Sequence, residues 1–146
     1  MADDSATLKR REKEILNDNE NHLAGFAEWL KNKGLSPKTI NTHVSNVDFY
    51  INNYLCYYDI CDVKEGASRI NGYLGSWFIR KALWSSCAHI KSNAAGIKKF
   101  YAYLLEKNVV EQDDYDDLCE TIKERMPDWL DNMRRYDETI FDDDDY

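Results

Sequence analysis

The chain of 146 residues contains little proline and glycine, two and six residues respectively, and few stretches in which apolar and polar residues alternate. Proline and glycine weaken helices, whereas strict alternation is the pattern of a half-buried strand. Their scarcity predicts an all-α protein. Apolar residues make up 43% of the chain and aromatic residues 13%, which is enough for a packed core and excludes global disorder.

Long apolar runs are missing as well. No run approaches the ~20 residues that a helix needs to cross a bilayer. The opening residues, MADDSATLKRREKE, contain no apolar segment of the kind found in secretory signals. We therefore expect a cytoplasmic protein without a membrane partner.

The sequence also lacks the close ligand pairs of a zinc site. The three histidines do not supply such pairs, and no two cysteines form a C-x-x-C motif. In a reducing compartment, cysteines of this kind are expected to be small, buried apolar residues. We expect neither a metal nor a cofactor. The four cysteines are Cys56, Cys61, Cys87 and Cys119.

The formal net charge of −8 is unevenly distributed along the chain. Residues 1–21 have a net charge of −2, residues 22–111 have +4, and residues 112–146 have −10. The middle of the chain is therefore mildly basic and is followed by a strongly acidic segment. We expect residues 137–146 to be a disordered acidic tail. It is either an ordinary solvated tail or one that competes with DNA for the basic surface.

The clearest structural signal is a turn between two helices in residues 26–55, FAEWLKNKGLSPKTINTHVSNVDFYINNYL. Gly34 has the position of a helix C-cap, where a left-handed conformation costs glycine little. Ser36 is a good N-cap, and Pro37 suits the first helical position. The second helix has one apolar stripe, at spacings of 4, 3, 4 and 3 residues: Ile40, Val44, Val47, Ile51 and Tyr54.

Further helices are predicted on both sides of this pair. The first helix begins near Asp18, because the run Asn17-Asp18-Asn19 interrupts the polar segment before it. The third covers residues 68–83, where Gly72 and Gly75 indicate either a close helix contact or an irregular segment. Ser85 and Ser86 precede the fourth helix, which extends to about residue 107. Its apolar stripe is Ile90, Ala94, Ile97, Tyr101 and Leu104.

A fifth helix is expected to begin at Asp113 and to end at Pro127. The short piece that follows, 128–136, contains Trp129 and packs on its own domain or on a partner. The predicted organisation is a polar N-terminal arm at 1–17, a bundle of four to five helices at 18–112, C-terminal helices at 113–136 and the acidic tail at 137–146. Most aromatic residues are expected in the core, whereas Trp84 has no assigned place. The expected core aromatics are Tyr54, Tyr57, Tyr58, Trp77, Phe78, Phe100 and Tyr101.

The first helix pair resembles the N-terminal core-binding (SAM-like) domain of tyrosine recombinases, the phage integrases. The later stretch HIKSNAAGIKKFYAYLLEKNVV resembles the fourth helix of the same domain, and together the two cover roughly residues 20–112. The residues that carry the resemblance are Phe26, Leu30, Gly34, Leu35, Ser36, Thr39, Val47, Tyr50 and Leu55 in the first stretch, and Ile97, Phe100, Tyr101, Tyr103 and Leu104 in the second.

The chain departs from that family in its chemistry. In tyrosine recombinases a second domain holds the tyrosine nucleophile, two arginines and a His-x-x-Arg element. This chain ends about where that domain would start. Its histidines are followed three places later by Gly25, Asn46 and Ser92, so no His-x-x-Arg occurs. The resemblance therefore does not extend to recombinase activity, and we expect a protein that is not an enzyme.

The resemblance implies DNA contact by the second and fourth helices, which form half of a clamp around the duplex in the family. On a helical wheel of the second helix, Lys38, Thr42 and Ser45 point away from the protein core. On the fourth helix, Ser92 and Lys99 point outward. Lys91 and Lys98 flank its apolar stripe. Such groups suit phosphate oxygens, but they are equally typical of an ordinary solvated helix face.

Two functions are compatible with this pattern. The first is a non-enzymatic DNA-binding module involved in DNA recombination or integration. Its partners would be double-stranded DNA, bound weakly and without sequence specificity, and a recombinase subunit or a second copy of itself. The few lysines would support dissociation constants of about 10⁻⁴–10⁻⁶ M. The alternative is a regulatory protein–protein interaction module that keeps the fold and not the DNA binding.

Overall fold

The computed structural model describes residues 2–57 and 59–144, so Tyr58, an expected core aromatic, lies outside them. Six helices follow one another in this part of the chain, with no strand between them, and the all-α prediction is confirmed. They are α1 (Ala2–Asn32), α2 (Pro37–Asp48, continued by a π-helical turn at Phe49–Tyr54), α3 (Val63–Gly66), α4 (residues 70–81), α5 (Cys87–Glu106) and α6 (Gln112–Asp144). None of the helices described is both long and apolar enough to span a membrane.

The turn between α1 and α2 has the predicted capping. Gly34 has a φ of +85°, a left-handed conformation that favours glycine. The Ser36 side-chain oxygen accepts a hydrogen bond from the Thr39 backbone N–H at 3.2 Å, and Pro37 begins the helix. Ser86 caps α5 in the same way, accepting from the His89 N–H at 3.1 Å. The starts of α2 and α5 are therefore determined by local sequence.

The predicted beginning of the first helix is wrong, because α1 is continuous from Ala2. Asn19 is buried, and its Nδ2 donates hydrogen bonds to Asn52 Oδ1 at 2.8 Å and to the Ile51 carbonyl at 3.4 Å. An asparagine whose side chain is used in a tertiary contact does not compete with its own backbone. The run that was expected to interrupt the helix is thus compatible with it, and Ile15 is buried one turn earlier.

Pro127 does not end a helix, contrary to the prediction, but lies inside α6. The apolar stripe continues past the proline with helical spacing, and Trp129 is fully buried. Burial of this stripe outweighs the loss of the one hydrogen bond that proline cannot donate. The helix continues to Asp144, where a disordered tail was expected. The stripe consists of Leu118, Ile122, Met126, Trp129, Leu130, Met133 and Tyr136.

Helix α4 shows why the sequence has glycines in its middle. The segment Tyr73–Trp77 is π-helical, between the α-helical segments Ile70–Gly72 and Phe78–Lys81. A Cβ atom on Gly75 would lie 2.9 Å from Trp129 Cδ1, closer than side chains tolerate. Trp129 Nε1 also donates to Asn71 Oδ1 at 2.8 Å. The C-terminal helix therefore packs on α4 of the same chain.

The aromatic residues mostly form the core, as predicted. Tyr50 and Tyr101 are fully buried, and their hydroxyls donate to the carbonyls of Gly66 at 2.5 Å and Val63 at 2.6 Å. These two bonds hold α3, a single helical turn between the second and third helices that the sequence predicts. Burial raises the pKa of both phenols, so they stay protonated donors. The buried members of the predicted set are Trp77, Phe78, Phe100 and Tyr101, whereas Tyr54 is half-buried and Tyr57 is exposed.

The four cysteines are free thiols. Cys61 is buried, and burial raises its pKa to about 11, so it behaves as the predicted small apolar residue. The other three are half-buried.

Gly75→Ala should destabilise the protein, although alanine favours helix by about 1 kcal/mol. The new methyl group must displace the buried indole of Trp129, and such overpacking costs about 1–3 kcal/mol. Urea unfolding should therefore show a lower midpoint. Ser76→Ala, at the exposed neighbouring position, is the control and should change stability by less than about 0.5 kcal/mol. Equal midpoints for Gly75→Ala and wild type would contradict the close packing.

Pro127→Ala should stabilise the protein by about 2 kcal/mol, because alanine restores the N–H for the Lys123 carbonyl and suits a helix interior. Pro127 is exposed, so its replacement leaves no core cavity. The measurement is the free energy of unfolding in urea, with the exposed Glu124→Ala as the control. A loss of stability would show that α6 is not continuous at this point.

Candidate nucleic-acid interface

Helices α2 and α5 pack against each other, and two contacts define their register. Asn46 Nδ2 donates a hydrogen bond to Ser92 Oγ at 3.1 Å. One turn away, a Cβ atom on Gly96 would lie 3.1 Å from His43 Nδ1 and 3.6 Å from His43 Cα, so the two helices approach closely there. The earlier of the two α2 residues, His43, is opposite the later of the two α5 residues, Gly96. The two helices therefore run antiparallel.

This register brings part of the predicted set together. Thr42 and Ser45 of α2 lie with Ser92 of α5 around one groove. Continuing the antiparallel register by one turn places Lys99 level with the first turn of α2, which contains Lys38. Lys38 and Lys99 therefore lie towards the same end of the groove.

The seven predicted DNA-binding residues are accessible to different degrees. Six of them are exposed, and Ser92, which accepts the hydrogen bond from Asn46, is half-buried. The four predicted lysines lie on the exposed surface of α2 and α5, and none of them is among the described residues that line the groove. The exposed residues are Lys38, Thr42, Ser45, Lys91, Lys98 and Lys99.

The α2–α5 groove is an open cavity of about 520 Å³. The described residues that line it contribute hydroxyl, amide, imidazole and indole groups and no carboxylate or ammonium group. Five of its residues were missed by the sequence reasoning, although Asn41 and His89 follow the same helical spacing as the predicted ones. The groove is lined by Asn41, Thr42, Ser45, Asn46, Trp84, Ala88, His89 and Ser92.

Hydrogen bonds orient part of this lining. The Thr42 hydroxyl donates to the Lys38 carbonyl at 3.1 Å, and the Ser86 hydroxyl lies 2.8 Å from His89 Nδ1. Because the Ser86 oxygen already accepts from the His89 N–H, its own proton is free to be donated to Nδ1. When that proton is donated to Nδ1, a neutral His89 has its own proton on Nε2; when Nδ1–H donates to Ser86 instead, Nε2 is an acceptor. Asn41 and Ser45 use none of their side-chain hydrogen-bonding capacity within the described part of the chain.

Trp84 forms one wall of the groove and lies in the turn between α4 and α5. Its ring contacts the ring of Phe49 edge-on, with centroids 5.1 Å apart at 64°. The turn is closed by Ser85, whose hydroxyl donates to the Ile79 carbonyl at 3.0 Å. Even so, 49% of Trp84 is exposed, and the neighbouring Leu83 is fully exposed. The indole is thus fixed on one side and open on the other.

His43, another residue that the sequence reasoning missed, lies between the two helices. It is buried, and its Nδ1 has no hydrogen-bond partner among the described residues. Burial lowers the pKa of this imidazole, and the nearby charge of Lys99 lowers it further. The α2–α5 contact is therefore built for a neutral histidine.

Because the pKa of His43 is lower in the folded than in the unfolded state, folding favours its neutral form. This contribution to stability is complete above the unfolded value of about 6.5 and is lost as the pH falls towards the folded pKa. Wild type should therefore lose more stability than His43→Gln between pH 7.5 and 5.5, measured as the shift in urea midpoint. Equal losses would mean that His43 is not the responsible group.

In the part of the chain that the structure describes, no three metal-ligating side chains come together. Family models, curated proteins and solved structures were each compared with this chain, and none of them matches it.

Proposed function

We propose that this protein is a non-enzymatic DNA-binding module of the kind seen in the core-binding domain of tyrosine recombinases, with a role in DNA recombination or integration. The observation that carries the proposal is the α2–α5 pairing, which brings Thr42, Ser45 and Ser92 to one groove with Lys38 and Lys99 towards one end. In the proposed complex these hydroxyl and ammonium groups contact phosphate oxygens. The fold assignment to the SAM-like integrase type is part of the same proposal.

The charges support weak binding without sequence specificity. Residues 22–111 have eleven basic and seven acidic groups, so their net charge is only +4. None of the described residues that line the groove is an arginine, the residue that most often reads guanine. The fourteen acidic groups in residues 112–146 oppose the approach of DNA. Dissociation constants of about 10⁻⁴–10⁻⁶ M that rise steeply with salt are expected.

The second candidate function is a protein-interaction module that keeps the fold without DNA binding. Leu83, which is fully exposed, and the half-exposed Trp84 favour it, because exposed apolar pairs are common at protein interfaces. A recombinase subunit or a second copy of this chain would be the partner. Loss of self-association or of subunit binding in Leu83→Ser, with no DNA binding in wild type, would favour this candidate.

The DNA proposal is tested with the double charge reversal Lys38→Glu/Lys99→Glu. Each lysine that contacts a phosphate contributes about 1 to the slope of log Kd against log salt, so the slope should fall by about 2. At low salt the affinity for a labelled duplex should fall by at least about tenfold, because two attractions become repulsions. Fluorescence anisotropy of the full chain measures both quantities.

The matched control is Lys64→Glu/Lys123→Glu, which changes the net charge equally at two exposed lysines outside α2 and α5. It should retain most of the affinity. If both double variants bind like wild type, or if wild type does not bind duplex DNA at low salt, the proposal is wrong. If both double variants weaken duplex binding equally, the loss of affinity is an effect of net charge and the proposed contacts of Lys38 and Lys99 are wrong.

A further inference from the structure

We infer that the α2–α5 groove holds an unpaired nucleobase of a DNA strand, stacked on Trp84 and hydrogen-bonded by the neutral side chains around it. The inference rests on the proposed DNA binding and specifies the form of DNA that the groove takes. A closed duplex offers the two helices only its backbone and groove edges. A single strand, a frayed end or a bulge also offers the flat face of a base.

The size and shape of the groove fit such a ligand. Its volume of about 520 Å³ lies in the range of small-molecule sites, roughly 300–1,000 Å³. Because the groove is open, the sugar and the neighbouring nucleotides can continue along the surface. A base can therefore enter without the rest of the strand being enclosed.

Trp84 provides a stacking surface that is already in place. The ring of Phe49 contacts the indole edge-on, and the bond from Ser85 to the Ile79 carbonyl ties down the turn that contains Trp84. A second edge contact joins Trp84 to Phe78, with centroids 6.4 Å apart. Aromatic faces stack on every base, so stacking of a base on Trp84 does not depend on the DNA sequence.

The lining is suited to the edge of a base. None of the described residues that line the groove is cationic, so a phosphate inside it would meet neutral donors without the stronger charge-assisted bonds. The edges of bases present neutral donors and acceptors, which Asn41, Ser45 and His89 can complement. The asparagine amide can both donate and accept, as the edge of adenine requires. Asn41 and Ser45 have this capacity unused within the described chain, and Nε2 of His89 is a further hydrogen-bonding atom, a donor or an acceptor according to the tautomer.

The lysines lie where the backbone of the same strand would pass. Asn46 and Trp84 both line the groove, and Phe49, one turn after Asn46, contacts Trp84. The helix from Lys38 to Asn46 is about 12 Å long at 1.5 Å per residue. Lys99 lies towards the Lys38 end in the antiparallel register. A base on Trp84 thus leaves the phosphates of adjoining nucleotides within reach of two cations. The stacking contact with Trp84 and the charged contacts with Lys38 and Lys99 therefore lie at different places along the strand.

The test compares an unstructured labelled single strand with a blunt, GC-ended duplex of the same length, both titrated with the full chain. Trp84→Ala should weaken single-strand binding by about tenfold, because base–aromatic stacking contributes about 1–3 kcal/mol. Trp84→Phe should stay within about threefold of wild type, since a ring remains. Binding of the duplex should be the same for all three proteins.

Two further variants separate stacking from folding. Tyr57→Ala removes an aromatic residue of similar exposure, 53% against 49%, that does not line the groove, and it should leave single-strand affinity unchanged. Asn41→Ala alters only an exposed side chain without hydrogen bonds in the described chain. It should weaken binding of the single strand about threefold, because one hydrogen bond is lost, and it should leave the urea midpoint unchanged.

The outcomes distinguish this inference from the proposed function. If duplex binding depends on Lys38 and Lys99 but single-strand binding is unaffected by Trp84→Ala and Asn41→Ala, the base site is wrong and the DNA module stands. If wild type binds neither form, both fail. Equal weakening of duplex and single strand by Trp84→Ala would also overturn the base site. If a free deoxynucleotide displaces the labelled strand at a concentration below that of the strand, counted in nucleotides, the groove is a site for free nucleotides and the inference is wrong.

Discussion

The close approach of α2 and α5 at Gly96 is the contact on which the candidate site depends. Because glycine has no side chain, His43 fits against the backbone of α5, with its Nδ1 at 3.1 Å from where a Cβ would be. The same closeness allows the bond from Asn46 to Ser92. A larger residue at position 96 would separate the helices and widen the groove. At this contact a buried imidazole nitrogen has no hydrogen-bond partner among the described residues.

Helix α6 supports the site through its contact with α4. Trp129 packs into the space left by Gly75 and donates to Asn71, so α6 holds α4 in position. The turn after α4 contains Trp84, and Ser85 ties that turn back to the Ile79 carbonyl. A change in the packing of α6 would therefore reach the groove through α4. The acidic helix packs on α4 of the same chain through Trp129.

The sequence predicts the features that depend on neighbouring residues along the chain. Gly34, Ser36 and Ser86 mark helix ends through local geometry, and the apolar stripes of α2 and α5 identify their buried faces. Asn19 and Pro127 misled the prediction, because each has a local preference that a distant contact overrides. The outward lysines follow from helical periodicity. Trp84 does not, because it lies in a turn and its position depends on Phe49, thirty-five residues earlier.

The charge distribution explains why uncharged contacts matter in the proposed function. A net charge of +4 on residues 22–111, next to −10 on residues 112–146, leaves little attraction for phosphates at physiological salt. Stacking on Trp84 and hydrogen bonds to amide and hydroxyl groups are screened far less by salt. In the proposed complex they supply the part of the affinity that persists when the electrostatic part is lost. A protein of this composition would therefore favour DNA whose bases are accessible over intact duplex.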